Sequence, residues 1–166
     1  MPLTETERSW VLEFLEKVKT SFSDDDRFSA VYDRDPGLPD HEPPEPEAWL
    51  TIWENTWIRV NPHPEQAGVQ VSLATRDRNV SEAIEGNALQ LGDSFEELLE
   101  DGLEDAGEEN VYGVYHYHDS GVFYFQSEVP LQGGWADLKA DAVREKVCKL
   151  ALGYPLGFGR FFMEED

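Results

Sequence analysis

Val111–Leu131 has the sequence VYGVYHYHDSGVFYFQSEVPL. Two runs rich in β-branched and aromatic residues, Val111–His118 and Val122–Val129, flank Asp119-Ser120-Gly121, a tripeptide of turn composition. Short alternating runs around such a turn are the sequence signal of a β-hairpin. Alternation places Tyr115 and Tyr117 on one face of the first strand and His116 and His118 on the other. Pro130 and Gly133-Gly134 stop the second strand.

Upstream of the hairpin, Asp93 or Ser94 caps an expected helix over Phe95–Leu103, which buries Phe95, Leu98, Leu99 and Leu103 and ends at Gly107. Asp77–Gly92 fits no single pattern. Val69, Val71 and Leu73 alternate with Gln70, Ser72 and Ala74, as in a strand with one buried face. Asn61–Gly68 (NPHPEQAG) reads as a loop. Trp49–Trp53 and Trp57–Val60 read as two strands around Glu54-Asn55-Thr56, or as one strand with a bulge. The segment 33–47 holds Pro36, Pro39, Pro43, Pro44 and Pro46, which fix backbone angles and remove amide donors, so it is expected to be a proline-rich exposed loop. Arg27–Tyr32 is a further short strand candidate. At the start, Thr4 and Glu7 have capping-box spacing, and Trp10, Val11, Phe14, Leu15, Val18 and Phe22 recur on one face of a helix over 4–22.

Downstream, Asp137 or a neighbour starts a last helix with the apolar stripe Val143, Val147, Leu150, Ala151 and Tyr154, closed by Gly153 and Pro155. The apolar tail Leu156–Met163 is expected to pack on the body. The elements describe a single-domain α+β protein over 1–166: one antiparallel β-sheet with an N-terminal, a middle and a C-terminal helix packed on it, in an α-β-β-β-α-β-β-α-like order.

That order resembles the fold of type III secretion chaperones and the related bacterial sensory-transduction-regulator-like proteins. Three stretches carry the resemblance: Thr56–Ala74 (TWIRVNPHPEQAGVQVSLA), Ser94–Glu104 (SFEELLEDGLE) and Val111–Leu131. The resemblance implies a small acidic binding protein, often dimeric, that holds a partner polypeptide on its sheet or helices, and it carries over no catalytic residue.

Charge narrows the function independently. Asp and Glu number 35 against 13 Lys and Arg, a formal net charge of -22. Such a surface repels phosphate backbones and anionic headgroups, which argues against nucleic-acid and membrane partners. It attracts basic partners, or serves as a solvated surface adapted to high salt. The single cysteine, Cys148, excludes an internal disulfide and suits a reducing, cytoplasmic compartment. It reads as a packing residue of the last helix. The polar start Met1–Arg8 has no signal-peptide core, and no window approaches the ~20 apolar residues of a membrane span.

Candidate chemistry is sparse, and no cofactor is expected. His116-x-His118 has the spacing of two zinc ligands on one strand face, with His41, His63, Asp119 and Glu128 as further ligands by type alone; the competing reading is two histidines on a sheet face. Asp24-Asp25-Asp26 lacks the alternating ligands and terminal Glu of a calcium loop. Gly153-x3-Gly157-x-Gly159 precedes no Lys-Ser/Thr pair and is no phosphate loop. Trp49, Trp53 and Trp57 recur every four residues and would share a face of one regular strand, as core or as a partner platform. With Glu96, Glu97 and Glu100 on the outer face of the middle helix, they are the candidate partner-binding residues.

The expectation is a non-enzymatic protein-binding module, chaperone-like or regulatory. The alternative is an acidic immunity protein, inhibitor or DNA mimic that neutralises a basic toxin or nuclease. A metal-dependent enzyme using His116 and His118 is the third reading. A possible homodimer follows from the exposed hairpin edge and the surplus of aromatic residues.

Overall fold

A computed structural model describes residues 3–36, 46–63 and 68–163. The chain order is α1 (Glu5–Phe22), β1 (Ala30–Tyr32), β2 (Ala48–Trp53), β3 (Thr56–His63), β4 (Gly68–Thr75), α2 (Arg78–Leu91), α3 (Phe95–Ala106), β5 (Tyr115–Asp119), β6 (Val122–Pro130) and α4 (Asp141–Phe158). The six strands form one antiparallel sheet in the order β1-β2-β3-β4-β6-β5. From β4 the chain passes through α2 and α3 to the outer edge, and the hairpin brings β6 back beside β4. The α+β single-sheet class therefore holds. The short strand candidate is β1, so four strands lie between α1 and α2, and α2 is an element the expected order did not contain.

Local chemistry accounts for most boundaries. Thr4 Oγ1 accepts from the Glu7 N–H at 3.1 Å, while Glu7 Oε1 accepts from the Thr4 N–H at 3.0 Å, closing the capping box of α1. Ser94 and Glu97 do the same for α3. Helix α2 begins where Asp77 accepts from the Asn79 N–H and ends at Gly92, whose φ of 74° satisfies the last carbonyls. Its buried stripe is only Val80, Ile84 and Ala88 plus Ser81, too thin a periodicity to settle Asp77–Gly92 beforehand.

The two tight hairpins use positive-φ residues. Asn55 (φ 54°) turns β2 into β3, and Ser120-Gly121 (φ 52° and 83°) turns β5 into β6, as a two-residue hairpin loop matched to strand twist requires. The two-strand reading of Trp49–Val60 is the correct one. Three boundaries differ from expectation. Strand β3 continues through Pro62, opposite Val69, to His63, so the ladder extends into the expected loop Asn61–Gly68. Residues 111–114 are not strand; the Gly113 carbonyl accepts from Ser127 Oγ and the Val114 N–H donates to Glu96. Helix α4 begins at Asp141, after a 3-10 helix over Gly134–Lys139, and runs through Gly153 and Pro155 to Phe158. Of the proline-rich stretch, 37–45 lies outside the described residues; at its flanks Asp35 and Pro46 are buried, not exposed.

The core lies between the sheet and the helices. Leu50, Ile52, Ile58, Val60, Val69, Val71, Leu73, Phe125 and Val129 meet apolar residues from all four α-helices. Burial of this kind stabilises by roughly 25 cal/mol per Å² of apolar surface. Buried Tyr154 Oη lies 2.7 Å from Ser127 Oγ, and the Ser127 hydroxyl donates to the Gly113 carbonyl, which ties the segment before β5 to the core.

Helices α3 and α4 approach backbone to backbone. Gly102 sits against Gly153 and Gly157, and Gly157 against the Leu98 carbonyl, with no space for a Cβ at either point. The Gly153-x3-Gly157 spacing is thus a close-packing device. It also explains why the helix does not stop at Gly153.

Candidate functional site

Antiparallel register puts one continuous row of side chains on the sheet face opposite the helices: Tyr32, Trp49, Arg59, Ser72, Gln126 and Tyr115. The next row holds Thr51, Trp57, Ala74, Tyr124 and Tyr117. Trp49, Trp57, Ala74, Val122 and Tyr124 form a second buried cluster that contains no helix residue. Arg59 is its centre. Its guanidinium lies 5.7 Å from the Trp49 ring and 5.6 Å from Tyr124, and it donates to Glu47 at 2.8 Å. Arg76 lies 5.8 Å from the Trp57 ring and donates twice to Asp35, at 2.7 and 2.6 Å. That hydrogen-bonded pair raises the Arg76 pKa above the ordinary arginine value. Burial pushes Tyr124 up to about 12, against the opposing pull of Arg59. These cations already face aromatic rings and carboxylates, the arrangement that stabilises an interior arginine.

The three candidate tryptophans do not form a surface platform. The chain reverses between Trp53 and Trp57; Trp49 and Trp57 pack edge to face at 5.4 Å with 2% and 5% exposure, and Trp53 alone reaches the surface. Trp49 and Trp57 do share a sheet face, but as neighbours across the β2–β3 pair and not along one straight strand. Among the described residues, Trp49 Nε1 and Thr51 Oγ1, on this same face, are buried without a hydrogen-bond partner.

The acidic candidates divide by role. Glu97 closes the α3 capping box, and Glu96 Oε2 accepts from the Val114 N–H at 3.0 Å, so both have structural duties. Glu100 is exposed. The outer surface of α3 presents Glu97, Glu100, Asp101, Glu104 and Asp105, and among the described residues only Asp101 meets a cation, Arg160 at 4.0 Å.

The histidine pair is occupied by other partners. His116 stacks on Phe125 with centroids 4.0 Å apart, its Nδ1 lies 2.8 Å from the Tyr124 carbonyl, and its Nε2 lies 2.7 Å from Glu85. His118 packs on Phe123 instead. Among the described residues no three His, Cys, Asp or Glu side chains come together as a metal site, and His41 lies outside them. Cys148 is half-buried in α4, and burial raises its thiol pKa, the opposite of the shift that activates a cysteine.

A groove that sequence reasoning missed runs between α1 and β1. It encloses roughly 790 Å³ and is lined by Arg8, Leu12, Leu15, Glu16 and Lys19 of α1, by Val31 and Tyr32 of β1, and by the segments Asp33–Pro36 and Pro46-Glu47, so carboxylates outnumber cations along it. Leu12 and Tyr32 are 45% and 42% exposed. Lys19 is held by Glu16 at 2.6 Å and Asp33 at 2.5 Å. Arg8 is exposed and makes no ion pair among the described residues. Among the described residues strand β1 pairs with β2 alone. The available signal was Leu12, an apolar residue off the buried stripe of α1 and across from a short strand.

The chain matches no protein-family model, no curated protein and no solved structure at a significant level. No helix among the described residues is long and apolar enough to cross a membrane.

Proposed function

We propose that the protein works by binding another polypeptide, without catalysis of its own. The observation that carries this reading is the distribution of charge. At least eight of the thirteen Lys and Arg residues are tied to carboxylates within the fold. The exposed surface of α3 is left with carboxylates that have almost no internal counter-charge. A field of that sign speeds encounter with a basic protein surface and discriminates against acidic ones.

Two modes fit. In the first, the protein is a chaperone-like or regulatory module that holds a partner in the cytoplasm, in keeping with the resemblance to secretion chaperones; the outer edge of β5, which pairs with no strand among the described residues, would serve a homodimer. In the second, the α3 surface neutralises a basic toxin or nuclease, as an immunity protein, inhibitor or DNA mimic does. Affinity capture from the source cell at low salt and again at 0.5 M salt, roughly a 4 Å Debye length, tests the reading. A polypeptide recovered under both conditions supports the holding mode, and one lost at high salt supports the neutralising mode. Recovery of no polypeptide under either condition refutes the proposal.

A further inference from the structure

We propose that two copies of this chain pair through the outer edge of β5, strand against strand about a two-fold axis at Tyr117, so that their six-stranded sheets join into one. The inference rests on the holding mode of polypeptide binding and fixes the surface and register of its homodimer. The backbone phase of the β5–β6 hairpin decides the register. Ser120 and Gly121 form a two-residue turn, so Asp119 and Val122 close it as a hydrogen-bonded pair. Bonded and non-bonded pairs alternate from there along the ladder. Tyr117–Tyr124 and Tyr115–Gln126 are thus bonded pairs, and the amides and carbonyls of His116 and His118 point away from β6. The next outward amide, that of Val114, is already taken by Glu96 at 3.0 Å. The open stretch of ladder therefore runs from His116 to His118. An antiparallel copy uses all of it in one register, with His116 opposite His118 and Tyr117 opposite Tyr117.

Exposure and charge select a second copy as the occupant. Among the described residues, the large apolar side chains that are more than half exposed are Leu89, Leu91, Val111 and Tyr115, all on α2, on β5 or on the segment leading into it. Glu85 ties α2 to β5 through His116, and Leu89 lies one turn further along that same helix face. Residues 86–92 and 110–118 contain no Asp, Glu, Lys or Arg, in a chain of net charge -22. Exposed edges are ordinarily blunted by charge, proline or a bulge, yet β5 pairs with β6 in unbroken register and its one charged residue, Asp119, is at the turn. A basic partner gains nothing from an uncharged edge. Two chains of the same strong negative charge can approach only where carboxylates are missing. The register fits this as well. Tyr115 stands opposite Asp119 of the second copy, whereas moving the axis two residues toward the turn would set Asp119 against Asp119. On the face opposite the helices, Tyr115 and Tyr117 already pack with centroids 5.4 Å apart, and the two-fold axis continues them into the matching pair of the second copy.

The test is sedimentation of the full-length protein, with the register read by cysteine cross-linking. At tens of micromolar the protein is expected at twice the 18.9 kDa of one chain. His118→Pro removes an outward N–H and leaves the bonds to β6 in place, and it should weaken the dimer about thirtyfold. Tyr115→Glu, at an exposed position, sets a carboxylate against Asp119 of the second copy and should also weaken the dimer, with both variants folded by circular dichroism. In a Cys148→Ala background, Tyr117→Cys should give a disulfide-linked dimer under mild oxidation, because directly opposed non-bonded residues bring their Cα atoms to about 4.5 Å. Tyr115→Cys, at the more exposed position, should cross-link about tenfold more slowly, because its symmetry mate lies about 13 Å away along the strand at 3.3 Å per residue. Raising salt should tighten the dimer by screening the repulsion between the copies. A monomer at millimolar concentration, a dimer that both variants leave intact, faster cross-linking at Tyr115, or a dimer that salt dissolves overturns the proposal. If the chain is monomeric and cell capture still recovers a partner, the β5 pairing fails and the polypeptide-binding reading stands.

Discussion

Gly102 of α3 lies against the carbonyl oxygen of Gly153 in α4, with Gly157 one turn further on, so that two helices touch through their backbones. A methyl group at Gly102 has no free space, whereas one at Gly86, in α2, meets nothing within 4 Å. Gly102→Ala is therefore expected to cost about 2–3 kcal/mol by overpacking. Gly86→Ala should stabilise by about 0.5–1 kcal/mol, because alanine loses less backbone entropy in a helix. Urea unfolding of both variants checks the pair; equal effects would remove the close-packing account.

The Asp35–Arg76 pair joins the start of the proline-rich stretch to the end of β4 by two charged hydrogen bonds, with Asp35 only 8% exposed. Asp35→Ala is expected to cost about 2 kcal/mol, since it also leaves a half-buried guanidinium without its counter-charge. A double-mutant cycle with Arg76→Met isolates the coupling, and a coupling near zero would show that the pair only decorates the surface.

His116 links β5 to α2 through Glu85 and stacks on Phe125. His116→Ala should destabilise by about 1–2 kcal/mol through loss of the ring contact and the hydrogen bonds. It should leave the zinc content of the purified protein unchanged and below one equivalent. A stoichiometric zinc that disappears in His116→Ala would reverse this assignment.

Burial holds Tyr124 protonated up to about 12, whereas an unfolded tyrosine titrates near 10. Burial pushes Tyr154 upward as well. Between those values the folded state binds more protons than the unfolded state, so stability falls as pH rises. This contribution is complete below about pH 10 and is lost as pH passes through about 12. Tyr124→Phe should move the alkaline unfolding midpoint upward, followed by tyrosinate absorbance and circular dichroism together. Normal ionisation of Tyr124 near pH 10 in a folded chain would contradict its burial.

With a net charge of -22, self-repulsion opposes the compact state. Raising salt from 10 mM to 1 M shortens the Debye length from about 30 to about 3 Å and should raise Tm by several degrees. A Tm independent of salt would mean that the carboxylates are spread too far apart to interact.

Elements whose cause is local were readable from residue order alone. The Thr4/Glu7 and Ser94/Glu97 caps, the stripe of α1, the Asp119-Ser120-Gly121 turn and the alternation of Val69, Val71 and Leu73 each act within a few residues, so periodicity and turn chemistry find them. The strong negative charge needs no fold to be read, since it is a property of composition. What depended on chain meeting chain was not. Trp49 and Trp57 became neighbours only because a turn folds β2 onto β3. Gly153 looked like part of a helix stop, but the helix runs on through it, and Gly153 and Gly157 are where Gly102 of another helix packs. Arg59, Arg76 and Asp35 carried no signal, because an ion pair between residues 41 apart has no period. The groove between α1 and β1 likewise exists only once the helix is packed beside the ordered sheet. Residue type and spacing encode the energy of a cap, a turn or an amphipathic face; contact across the fold is set by which surfaces the core brings within reach.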